Sequence, residues 1–426
     1  MHLKQILLVS FLLFSSFIHA TLIEVTSTDD LQQALDSTIN GDTVLLDAGS
    51  YQGNFVIKNA ITLTTKEGAV IDALGKGHAL QIMASDTSIK NLTIINWGSD
   101  LTEQDSGIYS ESRNQNITIE NNRLEGDGFG IWVQRAKHIL IKNNHIKGNL
   151  TLRSADRGNG IQLSSVQNAL VINNSVTQTR DGLYIIASQE SELRGNTLYN
   201  LRYGVHYMYS HHNKVLNNRA YNTRAGYALM SSKYLTVKGN ESRDSEDYGM
   251  LMNFITHSTI SNNRIKNVWT KPENKVPGRE GKGLFIYNSG YNTISYNRIE
   301  QAEIGIHLTA GSENGNIFGN SFINNPVQVK YVSNRRQEWS QEGIGNYWSN
   351  YLGWDLDGNG TGDTPFEPND AIDKLVWQYP EAKVLLDSPA ILLLRWVQNQ
   401  FPLLKPGGVK DSFPLIKQPD LEGDQT

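Results

Sequence analysis

Short runs in which apolar and polar residues alternate recur along most of the chain, each opened by a glycine and closed by an asparagine. The opening glycines are Gly107, Gly130, Gly160, Gly182, Gly204, Gly226, Gly249, Gly283 and Gly305, separated by 23, 30, 22, 22, 22, 23, 34 and 22 residues. The asparagines, Asn122, Asn144, Asn174, Asn196, Asn218, Asn240, Asn263, Asn297 and Asn320, repeat those steps to within one residue. Two markers share one period. Each unit predicts two or three strands too short to bury a face alone, so a core forms only if the units stack. A leucine-rich repeat needs a recurring leucine frame, and a propeller blade about twice this period. The pattern predicts an all-β fold, a right-handed parallel β-helix with coils about 4.8 Å apart, and asparagines placed to form amide ladders.

Side chains of a strand alternate between its faces. The residues one and three after each glycine, such as Leu183 and Ile185, Val205 and Tyr207, Tyr227 and Leu229, or Met250 and Met252, are almost wholly apolar and are predicted to face inward. Those two and four after it then point outward: Trp132, Tyr184, His206 and Phe285, with Met208, Met230 and Tyr287 beside them. This stripe is too aromatic for a solvated face and predicts a docking surface.

The ends differ from the repeat. Residues 1–20 place Lys4 ahead of an apolar run from Ile6 to about Phe14 and finish on Ala20, the form of a secretory signal peptide cleaved after Ala20. A retained anchor is the alternative, for which the run is short. The stretch "TSTDDLQQALDS" predicts a short helix, capped by Ser27 or Thr28, that covers the first coil. The β-helix is expected over 21–334, with loops emerging at "GNLTLRSADRGNG" and "WTKPENKVPGREGKG", and a capping and partner-docking region over 335–426.

Composition adds little to this picture except by exclusion. A net charge of -5 gives no reason to expect nucleic acid or an anionic membrane surface as partner. With no cysteine, an exported chain has neither disulfides nor thiolate metal ligands.

Candidate chemistry gathers on the outer stripe. Met208 and Met230 hold one register in consecutive coils and His206 lies two residues from Met208, so thioether and imidazole donors suited to Cu(I) converge. Plain padding of a protein interface by methionine is the competing explanation. Arg180, Arg202 and Arg224 each lie two before a repeat glycine and are expected to stack. Such a ladder needs an anion, an acidic partner, or carboxylates such as Asp181 and Asp156 beside it. In the C-terminal region "DLDGNGTGD" sets Asp355, Asp357, Asn359 and Asp363 at calcium-loop spacing, but the bidentate glutamate position holds Phe366. Calcium or a simple Gly/Asp turn both fit.

The segments "RSADRGNGIQL", "LRYGVHYMYSHHN", "GYALMSSKYLTVKGN", "GNYWSNYLGWDLDGNGTGDTPF" and "SPAILLLRWVQNQFP" resemble the NosD family, periplasmic maturation factors of nitrous oxide reductase. The resemblance runs over essentially the whole mature chain. It implies a non-enzymatic periplasmic component of an ABC transporter complex with an ATPase and a membrane subunit. It also implies a role in assembling the copper-sulfur cluster of nitrous oxide reductase, between a copper-donating lipoprotein and the apo-reductase. On that basis copper or its carrier meets the protein around His206, Met208 and Met230. Trp132, Tyr184 and the three arginines serve partners, and the helix bearing Trp396 contacts the membrane subunit. The alternative class is a lyase or C5-epimerase of an acidic polysaccharide, for which Asp156, Arg157, Arg180, Asp181, Arg202 and His206 supply acids, bases and carboxylate-neutralising groups.

Overall fold

The computed structural model describes residues 20–110, 113–276, 278–309, 311–385, 388–400 and 407–421. The expected signal segment, apart from Ala20, lies outside them.

The chain winds as a parallel β-solenoid of about 14 turns. One face is a 13-stranded sheet; a network of 23 strands forms the rest of the wall. Pairing advances one coil at a time, so that Val205 faces Tyr227, His206 faces Ala228, and Met208 faces Met230. The inward set behaves as the alternation demands: from Ile131 and Val133 to Ile306 and Leu308 these side chains are buried, Met250 and Met252 among them.

Both sequence markers have a structural cause. A Cβ on Gly204 would lie 2.5 Å from the carbonyl oxygen of Gly226, and one on Gly182 2.6 Å from that of Gly204. The glycine column lets successive rungs approach where no side chain fits. The asparagine amides form one continuous ladder: Asn196 donates from Nδ2 to Asn218 Oδ1 at 2.8 Å, and Asn218 to Asn240 Oδ1 at 3.0 Å. Each also donates to a backbone carbonyl, Asn218 to Leu193 at 2.9 Å. Buried amides without such partners would cost about 1–3 kcal/mol apiece.

The ladder continues past the expected end of the solenoid at residue 334. Asn320 donates to Asn346 at 2.9 Å, and the strand Tyr347–Trp348 pairs with Ser321–Ile323. There Asp411 stops it, accepting from the Asn346 backbone N–H at 2.7 Å and from Trp348 Nε1 at 2.8 Å. At the other end the helix Leu31–Asp36 buries Leu31 and Leu35 on the first coil. Its cap is Asp30, whose side chain accepts from the Gln33 N–H at 3.0 Å, and neither Ser27 nor Thr28. Beyond the solenoid the helices Ala371–Gln378 and Pro389–Gln400 are joined through Arg395, which reaches Asp373 at 2.9 Å. Among the described residues no helix is long and apolar enough to cross a membrane.

Candidate functional site

The strands Asp181–Ile186, Thr197–Met208 and Arg219–Met230 place the outer residues of three consecutive rungs side by side. Asp181 lies at their centre, 1 % exposed. Its Oδ1 accepts from Arg202 Nε at 2.8 Å, and its Oδ2 from Arg202 Nη2 at 2.6 Å and from His206 Nδ1 at 2.8 Å. Burial disfavours the Asp181 charge, but the hydrogen bonds from His206 and Arg202 outweigh it and hold this carboxyl below the usual carboxylate range.

A carboxylate only accepts, so His206 presents N–H at Nδ1, which leaves Nε2 as the ring's other nitrogen. That Nε2 is buried and has no hydrogen-bond partner. The ring is enclosed by Tyr184, with centroids 4.6 Å apart, and by the edge-on ring of Tyr203 at 5.1 Å. Tyr184 donates its hydroxyl to Met208 Sδ at 3.3 Å. Burial, then the Asp181 charge, raises the Tyr184 phenol, which keeps it a donor at neutral pH. Met208 and Met230 sit half-buried in directly paired positions. His206 and Met208 lie two residues apart on one strand, and Met230 is the paired neighbour of Met208 on the next rung.

Other expectations need correction. The outer stripe is not an open surface: His206 is only 7 % exposed, and Trp132 is packed with Tyr109, Phe129 and Leu101. Trp132 meets Phe129 edge to face with centroids 4.5 Å apart, so it is a core residue of a covered corner and does not present a docking face. The three arginines do not form a bare ladder. Arg202 belongs to Asp181, and Arg224 Nε lies 2.5 Å from Asp247 Oδ2. Asp156 is engaged by Arg153 at 2.7 Å and compensates neither. Arg180 makes no ion pair among the described residues. In the Asp/Gly loop the carboxylates turn onto their own backbone: Asp355 accepts from the N–H groups of Asn359 and Gly360, Asp357 from Asn359, and Asp363 from Leu356. No group of three or more His, Asp or Glu able to hold a metal ion occurs among the described residues. These bonds are those of a Gly/Asp turn, one of the two readings that the spacing allows. Trp396 is exposed, as are Leu392 and Leu393 on the same helix.

One feature escapes motif reading. Next to the methionines, an edge of the solenoid carries the exposed rings of Tyr209, Phe254 and Tyr287, with a second column formed by His212, Tyr234, His257 and Tyr291. His212 stacks on Tyr234 at 4.7 Å, and His257 on Tyr291 at 5.3 Å. This open aromatic edge, which the expected stripe joins at Tyr287, is apolar surface beside Met208 and Met230. The second column, His212, Tyr234, His257 and Tyr291, repeats at 22, 23 and 34 residues, steps also found among the glycines, which is the signal that could have found it.

Residues 142–353 match the family described as periplasmic copper-binding protein (NosD). Two relatives named probable ABC transporter binding protein NosD are similar over nearly the full length. That of Stutzerimonas stutzeri is 51% identical over 88% of this chain and 86% of its own, and that of Pseudomonas aeruginosa 52% over 88% and 89%. The A-module of an Azotobacter vinelandii mannuronan C-5 epimerase superposes with a TM-score of 0.58 at 15% identity, covering 70% of this chain and 90% of its own. The Dettilon tailspike protein gives 0.57 at 16%, covering 75% and 70%. At such identities the likeness speaks for the β-helix alone. Sequence identity, coverage and the coil architecture together show that this chain belongs to the NosD family.

Proposed function

We propose that this chain is the periplasmic binding component of an ABC transporter complex and that it handles Cu(I) for assembly of the copper-sulfur cluster of nitrous oxide reductase. The relatives' names support the transporter association, and the family description supports copper and the periplasm. The observation that carries the copper reading is the buried, unpartnered Nε2 of His206, oriented through Nδ1 by Asp181 and lying near two register-paired methionines. An imidazole fixed by a carboxylate behind it is how proteins commonly orient a metal-ligating histidine. Soft thioethers favour Cu(I), and a set with no thiolate both takes and releases it.

On this reading the chain is a carrier surface and not an enzyme. Tyr184 holds Met208 through its hydroxyl and covers His206 with its ring, so cargo enters when a docked partner displaces that tyrosine. The aromatic edge from Tyr209 to Tyr291 is where a copper donor or the apo-reductase docks, and the exposed helix around Trp396 serves the membrane subunit. The lyase or epimerase alternative is disfavoured by the relatives' names, those of ABC transporter binding proteins, and its Asp156 is engaged by Arg153.

Affinity purification of the tagged chain from a denitrifying host tests the class. Co-elution of an ATPase, a membrane subunit and nitrous oxide reductase is the expected result; recovery of none of them contradicts it.

A further inference from the structure

The two insertions that interrupt the repeat, far apart in sequence, converge on one groove of about 810 Å³. Leu150, Ser154 and Arg157 come from the first insertion, Trp269 and Lys271 from the second. Between them the floor is laid by consecutive rungs that carry Arg180, Arg202 and Arg224. A groove walled by loops on a rigid stack is a usual place for binding.

Most of the charge along it is already paired. In the middle, Arg202 is bound to Asp181 and Arg224 to Asp247. At the far wall Asp244 is met by Arg243 at 3.3 Å, and Glu246 by Arg279 at 3.4 Å and Lys271 at 3.9 Å, with Asn274 donating to it as well. At the near wall Asp156 belongs to Arg153. Every carboxylate that lines the groove therefore has its cation.

Two cations of the lining have no carboxylate among the described residues, and both stand at the near end. Arg157 is 9 % exposed; its Nη1 donates to the carbonyls of Gln178 at 3.1 Å and Thr179 at 3.3 Å, while Nε is buried without a partner and Nη2 bonds nothing among the described residues. The buried Oγ of Ser154, three residues earlier, is also unpartnered. Carbonyls offer only partial charge, and burial pulls the Arg157 pKa below its ordinary value with nothing to offset it. A buried cation left in that state is costly, and an anion is what relieves the cost. Half-buried Arg180 lies on the next rung, its backbone N–H 2.8 Å from the Gly158 carbonyl oxygen. The uncompensated charge thus spans one rung interval, about 4.8 Å, close to the width of a single oxoanion. A polyanion laid along the groove would meet paired charges on every later rung, and a neutral or cationic ligand would leave both arginines as they are.

We propose that the near end of this groove binds one small oxoanion, of the phosphate or sulfate type, between Arg157 and Arg180, with the Ser154 hydroxyl as a further donor. Guanidinium groups present paired, planar donors suited to such an anion. The site goes beyond the copper reading and does not rest on it, because none of the three copper residues lines the groove.

Calorimetric titration of the full mature chain, free of copper, with inorganic phosphate at constant ionic strength is the test. Saturable binding with a Kd of about 1 mM or tighter is expected, with inorganic sulfate competing for the same site. In Arg180→Gln the affinity should fall at least about tenfold. Arg180 is half-buried and unpaired, so this variant should melt as wild type does. If it does not, Arg157→Lys, which keeps a cation but loses the free guanidinium donors, gives the comparison in the same assay. Absence of saturable binding up to about 10 mM phosphate, or wild-type affinity in the variant compared, overturns the proposal. So does an oligomannuronate or an oligoaspartate whose affinity rises with each added residue, which would assign the groove to a chain of charges. None of these outcomes bears on copper at His206.

Discussion

His206 Nδ1 lies 2.8 Å from Oδ2 of Asp181, and the same carboxylate receives two donors from Arg202. A single buried anion therefore fixes an imidazole on one side and a guanidinium of the long groove on the other. Through Asp181 the orientation of the proposed copper ligand depends on a residue that neither motif nor spacing marks as a metal ligand.

Asp181→Asn keeps the shape but removes the charge. Arg202 is then left partly buried without its counter-ion, a loss of about 3 kcal/mol or more, read as a lower urea midpoint. Because this carboxyl is held below the ordinary range, its contribution is fully present above the unfolded value of about 4 and is lost as pH falls through the folded value. The variant should differ most from wild type near neutral pH and converge with it in strong acid.

Gly204→Ala tests the stacking of rungs. The added methyl would meet the Gly226 carbonyl oxygen at 2.5 Å and the Ala220 Cβ at 2.8 Å, both on the neighbouring coil. Overpacking of this kind costs about 1–3 kcal/mol. Thermal unfolding should shift down, whereas a change at an open glycine such as Gly278, despite its positive φ, disturbs no packed neighbour.

How much of this was legible in the sequence follows from what is periodic. Glycine and asparagine recur because each rung meets the same neighbour, so the coil, the inward face and the pairing of Met208 with Met230 can all be read from spacing. What closes the ladder cannot, since Asp411 reaches Asn346 across 65 positions of non-repeating chain. Nor could alternation show that Trp132 is roofed over, because the roof includes Leu101 in a separate loop. The aromatic edge was missed for a backbone reason. Tyr209, His212, Tyr234, Phe254, His257 and Tyr291 all have φ between 50° and 59°, a region where turn signals lead one to expect glycine, asparagine or aspartate.

That edge gives a third prediction. Tyr234→Ala combined with Tyr291→Ala removes exposed rings and should leave stability within about 0.5 kcal/mol. Capture of the copper donor or the apo-reductase by the immobilised chain should fall at least about tenfold; unchanged capture would place docking elsewhere.

His307 supplies a pH signature. Burial, then the charges of Lys330 and Lys282, push its imidazole down to about 3. The unfolded histidine takes up a proton near about pH 6.5 that the folded one refuses, so stability falls as pH drops from there toward the folded value. The slope is at most about 1.4 kcal/mol per pH unit. In His307→Gln a denaturant series should show a shallower decline over that window.

Competition titration with Cu(I) under strict anaerobiosis, against a chromophoric chelator, tests the central claim most directly. The mature chain should hold Cu(I), with affinity reduced at least about tenfold (about 1.4 kcal/mol) in His206→Gln and in the double variant Met208→Ser, Met230→Ser, each melting as wild type does. Wild-type affinity in both variants would contradict the assignment of the cargo to this imidazole and these thioethers.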